Sequence, residues 1–378
     1  MAFAFLCAPP CSLCFNALNF MKIDLHTHIL PQHWPDWTKK SGYPGWIELE
    51  HSGPGCARMC KTLPSGGKQF FRDVDANLWD PAERLREMLA TGVTTQVLST
   101  VPVMFSHWAK AQDAYDLHRL LNDHLAVVQA SGLYRDASGT GQRPVPRFLG
   151  LGVLPLQDPD LACRELERCM SDLHLSGVQI GTHVNGLNLD DPMLRPVLRR
   201  AAELGAAVFV HPWDMLGGER LSKYWMPWLV GMPTETTIAM MSVLFGGVLD
   251  ELPNLRICFA HGGGSFPGTL GRIAHGFECR RDLFPAAAKN PMEYLATGGG
   301  GGRAAKFWVD SLVHDADTLS HLVKLMGASR VALGSDYPFP LGEEHPGLII
   351  GSLAGISEAE RGLLLAGAAA EFLGVRLP

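Results

Sequence analysis

Basic residues are not in excess in this sequence, and charged residues of either sign are few. Of its 378 residues, 19% are charged, and 38 acidic against 32 basic side chains give a formal net charge of −6. This balance provides no field of positive charge for nucleic acid, so no nucleic-acid partner is predicted. An anionic substrate would have to be held by a few local arginines.

No targeting or membrane segment is recognisable. Residues 1–20 are apolar, but they lack the basic residues that begin a signal peptide, and Pro9 and Pro10 interrupt them. At this length, and with two prolines, the segment is not expected to span a membrane either. The first predicted strand starts directly after Met21, so we interpret residues 1–20 as an extension that is not part of the fold.

The cysteines do not suggest disulfides. Nine of them are scattered along the chain, and Cys258 lies in an apolar run that is typical of a buried strand. Cys56 and Cys60, with His51 nearby, lack the second pair that a zinc clip would need. Without a disulfide framework, a reducing, cytosolic location is predicted.

Three common catalytic signatures are absent. The glycine run at 298–302 lacks the Gly-Lys-Ser/Thr ending of a phosphate loop. Pro267 stands where the second glycine of a nucleophile elbow around Ser265 would have to be. The fourth apolar run, which ends at Thr182, has no lysine that could bridge the two ions of a two-metal site.

The sequence does contain eight apolar runs, mostly separated by amphipathic helical stretches. The runs are largely continuous rather than alternating, as is typical of parallel strands that are covered on both faces. They comprise residues 23–30, 95–101, 148–154, 177–182, 207–211, 255–261, 307–311 and 331–336. Eight strand–helix alternations predict an α/β fold, a (β/α)8 TIM barrel, as a single domain over residues 21–378.

Helix starts and insertions complete this organisation. Asp80, Asp158 and Asp191 each precede a proline, which predicts an N-cap followed by the first helical residue. Two long segments interrupt the barrel after its first and fifth strands, at residues 31–78 and 213–234. Insertions at the carboxyl ends of barrel strands commonly build the pocket of such folds.

The most informative motif is Asp-Leu-His-Thr-His, at the end of the first predicted strand. Because strand side chains alternate, His26 and His28 point to the same side. His211, His261 and Asp336 each end a later apolar run. Barrel enzymes gather their catalytic groups at the carboxyl ends of the strands, so these five side chains predict a metal-dependent active site.

One divalent metal is predicted. Its ligands are His26, His28, His211 and Asp336. Three imidazoles and one carboxylate favour zinc, with iron, cobalt and manganese as alternatives. As a fifth ligand His261 would crowd the metal. It is therefore predicted to be the general base that takes a proton from a water whose pKa the metal lowers to about 7.

Seven segments of the chain, in this order, carry a resemblance to a known family. They are 24–31 (DLHTHILP), 98–105 (LSTVPVMF), 178–185 (VQIGTHVN), 209–215 (FVHPWDM), 223–233 (KYWMPWLVGMP), 259–267 (FAHGGGSFP) and 334–342 (GSDYPFPLG). Together they resemble the α-amino-β-carboxymuconate-ε-semialdehyde decarboxylases, a family of the amidohydrolase superfamily. The similarity extends from Met21 to about Leu373, nearly the whole chain.

The resemblance implies a carboxy-lyase that acts on an unstable acyclic semialdehyde with two carboxylates. In the family this zinc-dependent, non-oxidative decarboxylation belongs to the kynurenine pathway of tryptophan catabolism. It yields aminomuconate semialdehyde, which leads to picolinate, and it diverts the substrate from quinolinate and NAD synthesis. One zinc ion per subunit and no organic cofactor are expected.

The resemblance also implies a role for each site residue. The metal ligands fall on the four residues already named, and the catalytic roles fall on His261 and Asp336. The implied substrate-binding residues are Arg72, Arg272, Trp225 and Phe339. In the family the arginine at the position of Arg272 reaches the neighbouring subunit's site, so a homodimer is expected. Two arginines suit a substrate with two carboxylates.

Two segments depart from the family pattern, and two other functions remain open. Residues 133–146 and 296–306 look longer or altered, and the second change, just before the seventh strand, would loosen the pocket rim or the dimer contact. The alternatives are another hydrolase or aromatic-acid decarboxylase of the same superfamily, and a catalytically silent binding homologue. A silent homologue would show a lost ligand, and none of the four predicted ligands is missing.

Overall fold

The structure is a computed structural model that describes residues 21–132, 146–297 and 302–377. The predicted extension at 1–20, most of the altered segment 133–146 and most of the glycine run 298–302 lie outside the described residues. The interpretation of residues 1–20 therefore stays a prediction. Over the part of the chain that is described, no helix combines the length and apolar character needed to cross a membrane.

The described residues form thirteen strands. They are β1 Ile23–His28, β2 Ile47–Gly53, β3 Cys56–Thr62, β4 Lys68–Asp75, β5 Thr95–Ser99, β6 Phe148–Val153, β7 Gly177–Gly181, β8 His183–Val184, β9 Leu187–Asn188, β10 Ala207–His211, β11 Arg256–Phe259, β12 Trp308–Asp310 and β13 Val331–Ala332.

Eight of these strands form one parallel sheet, in the order β1-β5-β6-β7-β10-β11-β12-β13. Each of the eight predicted apolar runs contains one of them. The sheet closes on itself because the Leu25 N–H donates to the Leu333 carbonyl and the Asp336 N–H to the His26 carbonyl, both at 2.8 Å. The predicted (β/α)8 TIM barrel is confirmed.

Twelve α-helices cover the described part of the barrel. They are α1 Trp37–Ser41, α2 Pro81–Thr91, α3 Ala111–Ser131, α4 Pro159–Ser171, α5 Arg195–Leu204, α6 Met232–Phe245, α7 Val248–Glu251, α8 Phe266–Cys279, α9 Ala316–Met326, α10 Leu348–Ser352, α11 Glu358–Gly362 and α12 Ala368–Leu373.

Two of the three predicted helix starts are correct. Asp80 caps α2 and Asp158 caps α4, in each case with its carboxylate accepting backbone N–H groups of the first turn. The prediction for Asp191 is wrong, because its carboxylate accepts the Met193 N–H at 2.9 Å within a turn and α5 begins later, at Arg195.

Apolar side chains fill the amino end of the barrel. Ile23 of β1, Phe209 of β10 and Cys258 of β11 belong to one buried apolar cluster with Phe372 of α12. Each of the four is 2% exposed or less, and burying such a side chain stabilises the fold by roughly 1.5–3 kcal/mol. The carboxyl ends of the strands are left for polar groups.

The first insertion folds into a small antiparallel sheet, β2-β3-β4, beside α1. Trp37 and Trp46 are buried in one cluster with Met104, which lies in the loop after β5. This packing holds β4 above the carboxyl end of the barrel. The second insertion contains a helical turn at Pro227–Gly231, which leads directly into α6.

Candidate active site

The structure brings the five predicted residues of the centre together at the carboxyl end of the barrel. His26 and His28 project from β1, and their Nε2 atoms are 3.2 Å apart. Asp336 follows β13, and its Oδ1 lies 3.3 Å from His26 Nε2 and 3.0 Å from His28 Nε2. The alternation of side chains along β1 therefore delivers both imidazoles to one carboxylate.

His211 and His261 complete the centre. The His211 ring, at the end of β10, is 5.0 Å from the His26 ring and 5.1 Å from the His28 ring, centroid to centroid. The His261 ring, just after β11, is 5.2 Å from the His26 ring and 5.0 Å from the His211 ring.

Not all of these residues are equally close to a common point. One ligand atom from each of His26, His211, His261 and Asp336 can be chosen so that all four lie within 4.8 Å of one another. This set contains His261 in place of the predicted His28, although His28 contacts both His26 and Asp336. The assignment of His28 as a ligand and His261 as a base stays a prediction.

Hydrogen bonds on the outer side of the rings orient three of the imidazoles. Nδ1 of His26 is 2.7 Å from Asp310 Oδ2, Nδ1 of His28 is 3.0 Å from the Thr100 carbonyl, and Nδ1 of His211 is 2.9 Å from the Pro212 carbonyl. Carbonyl and carboxylate oxygens accept, so each Nδ1 donates and each Nε2 is free to bind a cation.

The electrostatics of the centre favour the presence of a cation beside its two carboxylates. Burial alone would raise the pKa values of Asp336 and Asp310, but the positive charge and hydrogen bonds of His26 bring both below the usual value. Burial lowers the pKa of His26, yet the charge of Asp336 and the bond to Asp310 raise it to about 10. The two buried carboxylates thus retain a proton on His26 when no other cation is present.

A divalent metal ion fits these residues. Nε2 of His211 is buried and has no hydrogen-bond partner in the described part of the chain, and Oδ1 of Asp336 lies beside the Nε2 atoms of His26 and His28. Orphaned buried polar atoms are costly unless a ligand satisfies them. An imidazole nitrogen and a carboxylate oxygen facing each other are ligands that Zn²⁺ and similar ions prefer.

His261 is in a different state from His26. Burial, followed by the positive charge of His26, lowers the pKa of His261 to about 4, so its ring is neutral near pH 7. Its Nδ1 is buried and has no hydrogen-bond partner among the described residues. A neutral imidazole with a free nitrogen can accept a proton.

A pocket lies directly above the centre. Its lining includes His28, His211 and Asp336 below, and residues of both insertions above. Of the predicted substrate-binding residues it brings together Arg72, Trp225 and Phe339. Phe71, Trp213 and Trp228 line it as well.

Arg72 is the cation of this pocket. Its guanidinium carbon lies 4.3 Å from the centroid of the Phe339 ring, a cation–π contact. Burial lowers the pKa of Arg72, and the charge of Asp336 opposes that change. Among the described residues no carboxylate lies within ion-pair distance of the guanidinium. A half-buried arginine without an acidic partner is suited to bind the carboxylate of a substrate.

Arg272 is not brought to this pocket. It lies on α8, where its side chain is exposed, and it does not line the pocket of its own chain. Within the described ranges it makes no ion pair. The predicted role of Arg272 in a neighbouring subunit is therefore neither supported nor contradicted by the single chain.

The sequence reasoning missed one buried carboxylate of the centre, Asp310. It ends β12, the seventh barrel strand, and accepts a hydrogen bond from His26. The rule that selected His211, His261 and Asp336, an ionisable residue at the end of an apolar run, applies equally to this residue. This rule was therefore a signal in the sequence that could have identified Asp310.

Comparisons with known proteins agree with this geometry. Residues 23–375 match the Amidohydrolase family. The chain is 52% identical over 356 residues to a 2-amino-3-carboxymuconate-6-semialdehyde decarboxylase of Dictyostelium discoideum, which covers 94% of this chain and 92% of that relative. It is 36% identical to the protein of the same name from Caenorhabditis elegans, over 91% of this chain and 92% of that relative.

A solved structure shows the same fold. The 5-carboxyvanillate decarboxylase of Novosphingobium aromaticivorans, complexed with manganese and 4-hydroxy-3-methoxy-5-nitrobenzoic acid, matches with a TM-score of 0.73. The match covers 94% of this chain and 96% of that chain at 18% identity. At this identity the likeness shows the barrel alone.

Proposed function

The chain belongs to the amidohydrolase family and is a carboxy-lyase, and on that premise we propose that it decarboxylates α-amino-β-carboxymuconate-ε-semialdehyde to aminomuconate semialdehyde. The relatives that are 52% and 36% identical carry the name of this activity. The observation that carries the proposal is the half-buried Arg72, which has no ion pair among the described residues and lies in an aromatic pocket that opens onto the His–Asp centre. We further propose that the reaction withdraws substrate of the kynurenine pathway from quinolinate formation.

Zinc is the metal we propose, one ion per subunit, with no organic cofactor. His26, His28, His211 and Asp336 would hold it. Three imidazoles and a carboxylate support zinc over harder ions, and manganese, which the Novosphingobium decarboxylase binds, is the alternative to test. When bound, such an ion acts as a Lewis acid and lowers the pKa of a coordinated water.

The protein's own residues would position the substrate and move protons. Arg72 would bind one carboxylate and align the bond to be broken. His261 would take a proton from the water that adds to the amino-bearing carbon, and the neighbouring carbon would gain a proton. The bond between that neighbouring carbon and its carboxylate would then break, releasing carbon dioxide, while its electrons restore the double bond and expel the added hydroxyl group, which would leave as water with a proton from solvent. Asp336 would assist the proton transfer.

Arg272 would complete the substrate site from a second copy of the chain. Its exposed guanidinium has no ion pair in the described residues. A substrate with two carboxylates needs a second cation besides Arg72. We propose a homodimer in which this side chain binds in the neighbouring subunit's pocket, beside Trp225 and Phe339.

Two further features complete the proposal. We propose a cytosolic location, which the free thiols support, because each cysteine in the described residues is unpaired. We also propose one barrel domain over residues 21–378, with residues 1–20 as an extension outside it.

The test is a spectrophotometric assay of the freshly prepared semialdehyde. Zinc-loaded protein should consume its absorbance and form aminomuconate semialdehyde with release of carbon dioxide, and a chelated sample should not. γ-Resorcylate and 5-carboxyvanillate serve as alternative substrates under the same conditions. Turnover of an aromatic acid, with none of the semialdehyde, would replace the proposed substrate.

A further inference from the structure

Asp310 lies where the seventh barrel strand meets the candidate metal centre. It is the last residue of β12, and its side chain is fully buried. Each of its two oxygens has two hydrogen-bond donors within reach. Oδ2 accepts from His26 Nδ1 at 2.7 Å and from the His261 N–H at 3.0 Å, and Oδ1 accepts from the Gly262 N–H at 2.8 Å and the Leu312 N–H at 3.2 Å.

The contact with His26 fixes the state of that imidazole. A carboxylate can only accept a hydrogen bond, so His26 must carry a proton at Nδ1. Its Nε2 is then directed at Asp336 Oδ1, 3.3 Å away. Outer carboxylates that orient a metal-binding imidazole also make it a stronger ligand.

The contacts with the following loop fix His261. His261 has φ +55° and Gly262 has φ +61°, so two successive residues are in the left-handed region. A non-glycine residue rarely adopts this conformation without an external constraint. The two successive N–H groups converge on one carboxylate, forming a small backbone anion site, and this clamp constrains the loop that places the His261 ring beside His26 and His211.

We infer that Asp310 is a positioning residue: its single carboxylate sets the tautomer of His26 and holds the backbone of His261 so that both rings face one centre. The inference rests on the proposed metal-dependent function, and it adds a residue from the seventh strand. The Asp310 carboxylate thereby couples a metal ligand, His26, to the base, His261. Weakening its hydrogen bonds should reduce metal affinity and displace the base at the same time.

The first test exchanges the carboxylate for its amide. Asp310→Asn retains the size of the side chain but leaves one oxygen to serve four donors. We expect the affinity for zinc, measured by competition with a chromophoric chelator, to fall about 10- to 100-fold. The visible spectrum of the cobalt-substituted protein should change as well, because the ligand field at His26 changes. Neither readout depends on the identity of the substrate.

Glu165→Gln is the matched control. Glu165 is fully buried like Asp310, and it is hydrogen-bonded to Asn122 at 2.7 Å and to Arg168 at 2.7 Å. It lies on α4, outside the barrel, and it does not contact the centre. This variant should lose stability without any change in zinc affinity or in the cobalt spectrum. An equal loss of zinc affinity in both variants would assign Asp310 a merely structural role.

The second test separates the effect on His261 from the effect on the metal. At saturating zinc, Asp310→Asn should lower kcat about 10- to 100-fold with little change in KM, because the base is displaced while the pocket is intact. In a His261→Ala background the same substitution should cause little further loss of kcat. Independent, multiplicative losses would overturn the link to His261.

A measurement on the unmodified protein does not depend on whether Asp310→Asn folds. In zinc-loaded protein labelled with ¹⁵N at histidine, His26 should show a slowly exchanging, downfield Nδ1–H signal, assigned by its absence in His26→Gln. A proton at Nε2 of His26, or rapid exchange at Nδ1, would overturn the inference. Failure of the semialdehyde assay with this signal present would refute only the proposed substrate.

Discussion

The His–Asp centre and the pocket above it are built in different ways. In the centre, every ring comes from the end of a barrel strand, and outer acceptors hold Nδ1 of three imidazoles. The pocket is covered by the two insertions and by Phe339 of the loop after β13, and its aromatic side chains are less enclosed: Trp225 is 42% exposed, whereas His26 and His28 are fully buried. Its cation, Arg72, makes no ion pair within the described ranges and contacts the Phe339 ring.

This difference indicates that catalysis and substrate selection are located in separate parts of the molecule, the centre and the pocket. Strand ends are positioned by the hydrogen bonds of the whole barrel, and the groups of the centre are attached to them. An insertion can change its side chains without disturbing those strands. Substitutions in the centre should therefore remove the metal and all activity, and substitutions in the pocket should spare the metal and alter substrate binding.

The largest expected effect is at His211. His211→Gln should lose most of the bound zinc and lower kcat/KM on the order of 1000-fold or more, because the Lewis acid is lost with it. Metal content by atomic emission and turnover of the semialdehyde measure the two effects. His118→Gln is the control, since His118 is a buried histidine on α3 whose Nε2 bonds the Met104 carbonyl. Full zinc content in His211→Gln would remove this residue from the ligand set.

Arg72 tests the other side of the comparison. Arg72→Met should lower kcat/KM by about 10- to 150-fold, since a charged hydrogen bond to a carboxylate contributes about 1.5–3 kcal/mol. Zinc content should be unchanged. Arg58→Met is the control, because Arg58 lies in the same small sheet with a 3.6 Å ion pair to Asp73 and does not line the pocket. A loss of zinc in Arg72→Met would mean that pocket and centre are not separable.

Arg272 tests whether the pocket is complete in one chain. Arg272→Ala should lower kcat/KM about 10-fold or more, because one substrate carboxylate loses its charged partner. Mixing and re-annealing Arg272→Ala with His211→Gln should restore about one quarter of wild-type activity. About half of the re-formed dimers are mixed, and each mixed dimer has one site of its two with all its residues. No recovery in verified mixed dimers would place the role of Arg272 within its own subunit.

The same difference explains what the sequence could predict. The barrel and the five residues of the centre follow from apolar runs and their ends, because strand alternation places His26 and His28 together and the barrel gathers strand ends. Asp310 obeys the same rule, but its role depends on contacts across the closed barrel, from the seventh strand to the first. Arg72 was identified only through a family resemblance, since no periodicity predicts how the insertion folds over the centre.

The smallest expected effect concerns two carboxyl groups of one loop. Asp336, in the centre, has its pKa held below the usual value by His26, whereas burial raises the pKa of Glu343 to about 7. Glu343 faces a separate cavity lined by Glu87 and Tyr337, and the nearby Lys22 does not offset the burial. The centre lowers the pKa of its carboxyl group, whereas seven residues further along the chain burial raises the pKa of Glu343.

A stability measurement can sharpen this contrast. Because the folded protein binds the Glu343 proton more tightly than the unfolded chain does, wild-type stability is favoured below the unfolded pKa and is lost as pH rises to about 7. Glu343→Gln cannot ionise, so it should raise Tm relative to wild type by roughly 2–5 °C at pH 8 and by much less at pH 5, in calorimetry of zinc-loaded samples. Glu344→Gln, at an exposed neighbouring position, should show no such pH-dependent difference. An equal rise in the Tm of Glu343→Gln at both pH values would mean that the stabilisation comes from packing. The loop would then carry no buried charge outside the centre.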